Sequence, residues 1–105
     1  MSVVQITNWR ITAGRNVDFL ALVSEAKKIH ERLGGRVRVR QATFAGENAG
    51  RVAYVIEHDD MMALASFGQK MQADSEWQAF VTKAFGPNPS ATLMSNAIAT
   101  DVVLP

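Results

Sequence analysis

Twice along this chain the apolar period changes from about two residues to about 3.6 and back, and that order leaves few architectures open. Arg36-Val37-Arg38-Val39-Arg40-Gln41-Ala42-Thr43-Phe44 alternates as a strand does. Turn formers follow at Gly46-Glu47-Asn48-Ala49-Gly50, and Arg51–His58 then reads as a third strand, the hairpin partner of the second. Ahead of this hairpin, Phe19, Leu22, Val23, Ala26, Ile29, His30 and Leu33 make one stripe of a helix from Asn16 to Leu33. Asp18, Glu25, Lys28, Glu31 and Arg32 fall on its opposite, solvated side. Asn16 is expected to cap this helix and Gly34-Gly35 to stop it. After the hairpin, Asp59-Asp60 offers a cap for a helix through Met71, with Leu64, Phe67, Gly68 and Met71 on one face. The pattern resets at Ala73-Asp74-Ser75, where Asp74 or Ser75 opens Glu76–Phe85, and Gly86-Pro87 ends it. The first and last strands along the chain are Val3–Thr12 and Ala91–Val103, the latter with Met94, Ile98 and Val102 on one side.

The resulting order, β-α-β-β-α-β, is the ferredoxin-like arrangement of the α+β class, with an antiparallel four-stranded sheet in one domain over residues 1–105. Helices on one face leave the other open. Yet the strands are apolar on both parities: Val52, Tyr54 and Ile56 against Ala53 and Val55, and Trp9 and Ile11 against Val4 and Ile6. A second copy of the same sheet is the simplest cover, so the expected assembly is a homodimer through the sheet face, its interface tested at Val55 or Ile11. A formal net charge of +1 gives no pull towards nucleic acid. No apolar run approaches the roughly 20 residues of a membrane span, so no membrane partner is expected and a cytoplasmic location is. With no cysteine and two histidines outside any ligand spacing, no metal site is expected. Gly-rich phosphate loops and nucleophile elbows are absent too.

On these elements the chain resembles the dimeric α/β-barrel superfamily, in which two ferredoxin-like sheets pack face to face. Within it, Val3–Gly14 looks like the opening strand and turn of the NIPSNAP-like proteins. Ala73-Asp74-Ser75-Glu76-Trp77-Gln78-Ala79-Phe80 is similar to their acidic-x-Glu-Trp helix start. The nearest resemblance is to small bacterial members without assigned function. The superfamily also holds cofactor-independent monooxygenases of the antibiotic-biosynthesis type, haem-degrading enzymes, isomerases and decarboxylases. The resemblance implies a pocket between helices and sheet. Asn8 and Trp77 resemble the Asn and Trp that line it in some monooxygenases. Haem-binding members carry a histidine in the second helical region, and this chain has none between Asp59 and Phe85, so no cofactor is expected.

Among the residues themselves, His30 lies in the stripe of the first helix and faces the sheet, where burial can tune it as a general base. Tyr54 and Asn8 sit on strands among apolar neighbours, where each can orient a ligand, and Trp77 supplies an apolar wall. Arg38, with Arg36 and Arg40, can hold a carboxylate or phosphate, or form a solvated edge or dimer rim. His58 can pair with Asp59 or Asp60; Trp9 is read as a packing residue, with the dimer interface as one place for it; Met61, Met62, Met71 and Met94 read as core filling. Two functions are open. One is binding of a small apolar or aromatic molecule between helices and sheet. The other is a cofactor-independent monooxygenase- or isomerase-type enzyme with His30 as base.

Overall fold

The computed structural model describes residues 2–43 and 46–105. The elements run β1 (Val3–Ile11), α1 (Asn16–Arg32), β2 (Arg36–Gln41), β3 (Val52–His58), α2 (Met61–Ala73), α3 (Ser75–Ala84) and β4 (Ala91–Thr100). All strand pairs are antiparallel, in the order β2-β3-β1-β4. This is the ferredoxin-like α+β fold, with the second helical region broken into two pieces at Asp74.

The helix ends show how local chemistry sets the frame. Asp60 accepts the Ala63 N–H at 2.8 Å and Asp74 accepts the Trp77 N–H at 2.8 Å, so both predicted carboxylates cap. Asn16 does not cap: it is the first helical residue, Arg15 occupies the cap position, and no side chain bonds the free N–H groups there. Arg15 is held instead by Asp18 at 2.6 Å and by the Asn88 carbonyl at 3.2 Å. At the other end of α1, the Gly34 N–H bonds the Glu31 carbonyl and the Gly35 N–H bonds the His30 carbonyl. With Gly34 at φ +105°, this is a Schellman stop. Gly35 serves a different end: a Cβ there would lie 2.5 Å from Ile56 Cγ2, so the chain passes too close to β3 for any side chain.

Strand alternation then divides the sheet into two faces. Val52, Tyr54, Ile56 and His58 on β3 are all buried, while the residues between them are half-buried. Register places Gln5, Thr7 and Trp9 of β1 beside Ile56, Tyr54 and Val52, on the face that the helices cover. Ala26, Ile29, Leu33, Val37, Tyr54, Ile56, Phe67, Phe80 and Ala84 form the main core between helices and sheet. The opposite face carries Val4, Ile6, Asn8, Ala53 and Val55, with Arg36, Arg38 and Arg40 along β2. No described element covers it. The molecule is a slab of 43 × 39 × 17 Å with a radius of gyration of 14.6 Å, against roughly 13 Å for a compact globule of this length.

Four expectations are corrected here. β2 ends at Gln41, short of Phe44, which lies outside the described residues. β4 ends at Thr100, because Thr100 pairs with Val3, the first residue of its one neighbour, and Val102 beyond it is exposed. Met61 and Met62 lie on the outer side of the first turn of α2, 55% and 82% exposed, and fill no core; Met94 is exposed on β4, at a register shift opposite Asn8 and Trp9. Ile11 lies on the same face as Trp9, away from Val55, so the two cannot belong to one interface. No described helix is long and apolar enough to cross a membrane.

Candidate ligand cavity

Between the helices and the sheet lies a cavity of about 230 Å³. Gln5, Thr7 and Trp9 of β1 and Tyr54 and Ile56 of β3 form its floor, as their shared parity requires. α1 supplies Phe19, Leu22, Val23, Ala26 and His30, and the α3 side supplies Trp77, Phe80, Ala84 and Phe85. Met71, Ser90 and Ala91 complete the lining. A dry apolar cavity of roughly 150 Å³ already holds a benzene molecule, so the space suits one or two fused rings.

The walls are largely aromatic. Trp9 stacks on Phe85 with centroids 5.6 Å apart, and Trp77 stacks on Phe80 at 5.2 Å. The His30 imidazole packs against Trp77 at 4.4 Å and against Phe67 at 5.6 Å. Most polar groups of the lining are already engaged. The Trp9 indole N–H donates to Thr7 Oγ1 at 2.9 Å, and the Thr7 hydroxyl lies 3.4 Å from the Tyr54 carbonyl. Gln5 Oε1 is 2.9 Å from His58 Nε2. His30 Nδ1 lies 2.7 Å from the Tyr54 hydroxyl oxygen. His30 Nε2 is buried and has no hydrogen-bond partner among the described residues.

Burial governs the electrostatics. It pushes His30 down to about 4, helped by the neighbouring His58, so the imidazole is neutral at physiological pH. Burial also raises Tyr54, with Glu31 adding to the effect, and keeps its hydroxyl protonated. His58 is lowered by burial and by Arg36, against the opposing pull of Asp59.

Of the residues singled out by sequence, the fold brings His30, Tyr54 and Trp77 together at this cavity. Asn8 and Arg38 are elsewhere. Asn8 has the parity of Val4 and Ile6, so it projects from the uncovered face, where its amide donates to Ser95 Oγ at 3.0 Å. Arg38 sits beside Val55 on that same face. The apolar neighbours that made Asn8 resemble a pocket residue belong to the wrong side of the sheet. Trp9 is corrected in the opposite sense, from the interface to the cavity floor. His58 is no loop histidine: it is 2% exposed, packed at a tilt against Phe67 with ring centroids 4.7 Å apart, and bonded to Gln5. Arg36 pairs with Glu57 at 3.2 Å and Asp59 at 2.9 Å. Among the described residues no group of three potential metal ligands gathers.

Sequence reasoning passed over Gln5, Thr7, Met71 and Phe85. Alternation groups Gln5 and Thr7 with Trp9, but only the packing of the helices shows that this is the covered face, beside Tyr54 of β3. Phe85 continues the Trp77–Val81 spacing at i+8, and the structure makes it the residue that closes α3.

No protein-family model and no curated protein matches the sequence. Solved structures do share the fold. A NIPSNAP family protein from Agrobacterium tumefaciens is 21% identical, with a TM-score of 0.74 over 96% of this chain and 86% of the other. An uncharacterized NIPSNAP domain protein from Burkholderia xenovorans is 20% identical, with a TM-score of 0.73 over 98% and 97%. A protein from Bordetella bronchiseptica, named as a candidate antibiotic biosynthesis monooxygenase, is 21% identical, with a TM-score of 0.62 over 97% and 98%. The fold is thus the one seen in NIPSNAP family proteins and in that candidate monooxygenase.

Proposed function

We propose that this protein binds a small apolar or aromatic molecule between its helices and sheet. The observation that carries it is the 230 Å³ cavity with an aromatic wall and a histidine–tyrosine pair at its edge. Trp9 and Trp77 both line that space, so ligand entry has an intrinsic reporter. Naphthalene titrated into the protein is expected to change tryptophan fluorescence saturably, one molecule per chain. An Ala26→Phe variant, filling the space from α1, is expected to lose the response. Absence of saturable binding in the unmodified protein overturns the proposal.

The alternative, a cofactor-independent monooxygenase- or isomerase-type enzyme with His30 as general base, draws on the same cavity and on the fold shared with the Bordetella protein. A conjugate acid with a pKa of about 4 makes a weak base at neutral pH. Binding is therefore the stronger reading.

The working assembly in this proposal is a homodimer through the open sheet face. Val4, Ile6 and Val55 lie half-buried in the centre of that face with no element over them, and a two-layer slab this thin gains most from a third and fourth layer. Native mass spectrometry is expected to give twice 11.5 kDa, and Val55→Glu to give monomer; a monomeric unmodified protein rejects this assembly.

A further inference from the structure

The protons of the His30–Tyr54 pair on the cavity wall point to the kind of molecule it takes. His30 is 5% exposed and neutral. A neutral imidazole carries one N–H, on either nitrogen. Nδ1 lies 2.7 Å from the Tyr54 hydroxyl oxygen, which has no second side-chain partner among the described residues. With the proton on Nδ1, that N–H donates to Tyr54, and both the tyrosine O–H and the Nε2 lone pair go unused. With the proton on Nε2, the Tyr54 O–H donates to Nδ1, and one unused group remains, the Nε2–H. The second arrangement leaves one fewer buried polar group unpaired and is the more stable. The nearest ring to this imidazole is Trp77 at 4.4 Å, and an aromatic face is a weaker acceptor than an oxygen. Among the described residues no Lys, Arg, Asp or Glu lines the cavity, so an ion inside it would lack a counter-charge.

We infer that the cavity takes an uncharged ring compound bearing a carbonyl-type oxygen, which accepts the His30 Nε2–H while the Tyr54 hydroxyl holds the imidazole in that tautomer. The inference rests on the cavity being a binding site, as proposed above, and it makes His30 a hydrogen-bond donor to the ligand. Nε2 is closed off from solvent, so the side chains packed on the imidazole, Phe67 and Trp77 among them, must yield for the oxygen to reach it.

Tetralin and 1-tetralone test this, since they share a skeleton and differ by a CH₂ against a C=O. Affinities of both are measured by tryptophan fluorescence in the unmodified protein and in His30→Leu. The tetralone-to-tetralin affinity ratio is expected to fall about 5- to 150-fold in the variant, the range for leaving a buried partner unmet. Long-range ¹H–¹⁵N spectra of the unmodified protein are expected to show His30 protonated at Nε2. Tetralone should shift that proton and tetralin should leave it in place. This second readout stands even if His30→Leu does not fold. Failure of both compounds to bind overturns the binding proposal and this inference together. Binding of both with an equal ratio in the two proteins, or a proton found on Nδ1, overturns this inference alone and leaves the binding proposal intact.

Discussion

Gly35→Ala should destabilise the protein, and the geometry says by how much. The added Cβ lies 2.5 Å from Ile56 Cγ2, 3.1 Å from Phe67 Cε1 and 3.4 Å from the His30 carbonyl. Ile56 Cγ2 is a branch methyl held against the sheet, so it cannot swing clear as the end of a long side chain can. Forcing a methyl into a packed site costs about 1–3 kcal/mol. The loss of unfolded-chain freedom on going from Gly to Ala offsets about 0.4–1 kcal/mol of that. The net is about 1–2 kcal/mol. At about 2.1 cal/mol/K of unfolding entropy per residue, a chain of this length loses roughly 4–5 °C per kcal/mol. Thermal unfolding followed by circular dichroism should therefore show Tm lowered by about 5–9 °C. A cycle with Ile56→Ala isolates the contact. Removing Cγ2 should relieve the clash, so that Gly35→Ala costs about 1 kcal/mol less in that background. Gly34→Ala provides the contrast: its cost is backbone strain at φ +105°, nothing lies within 4 Å of its added Cβ, and Ile56→Ala should give no relief. An unchanged or raised Tm for Gly35→Ala, or equal relief at both glycines, would refute the close-approach account.

Three further outcomes follow from the structure. His30 titrates near 6.5 when unfolded and at about 4 when folded, so stability is fully present above pH 6.5. It is lost as pH falls towards 4, by up to about 3 kcal/mol. Urea unfolding across that window should show a shallower pH slope in His30→Leu, and an identical slope contradicts the burial of a neutral imidazole. Asp74→Ala removes the cap of α3 and the bidentate partner of Arg32, which reaches both Asp74 oxygens at 2.8 Å. It should cost about 1 kcal/mol, mostly the cap, because the ion pair is largely exposed; a denaturation midpoint equal to that of the unmodified protein rejects this. Asn8→Ala and Arg38→Ala lie on the far side of the sheet, so naphthalene affinity should stay within about twofold in both while Trp77→Ala weakens it. A tenfold loss in either of the first two would place the ligand on the wrong face.

Much of the architecture was legible in the residues. Asp60 and Asp74 announce two helix starts because a short carboxylate is the side chain best placed to meet free N–H groups. Gly34 announces the stop of α1 because a left-handed residue is needed there. The stripe from Phe19 to Leu33 put His30 against the sheet, where burial lowers its pKa. Asn16 failed as a cap because the helix begins one residue earlier than an Asn-centred start requires, with Arg15 at the cap position bound to Asp18 and the Asn88 carbonyl.

What alternation could not decide was which face of the sheet is inside. A period of two sorts Thr7 from Asn8 and Tyr54 from Val55, but with both sets partly apolar it does not say which set the helices cover. That choice came from packing: the close pass at Gly35, Phe67 against His30 and His58, and the stacking of Trp9 on Phe85 seat the helices over Thr7 and Tyr54. The residue pattern along the chain set the order of elements, the caps at Asp60 and Asp74, the stop at Gly34 and the two candidate faces, because those depend on residues close in sequence; the ends of β2 and β4 depend on pairing with distant strands. The cavity, its His30–Tyr54 pair and the exclusion of Asn8 and Arg38 from it were decided by tertiary structure, because they depend on contacts between residues far apart in sequence.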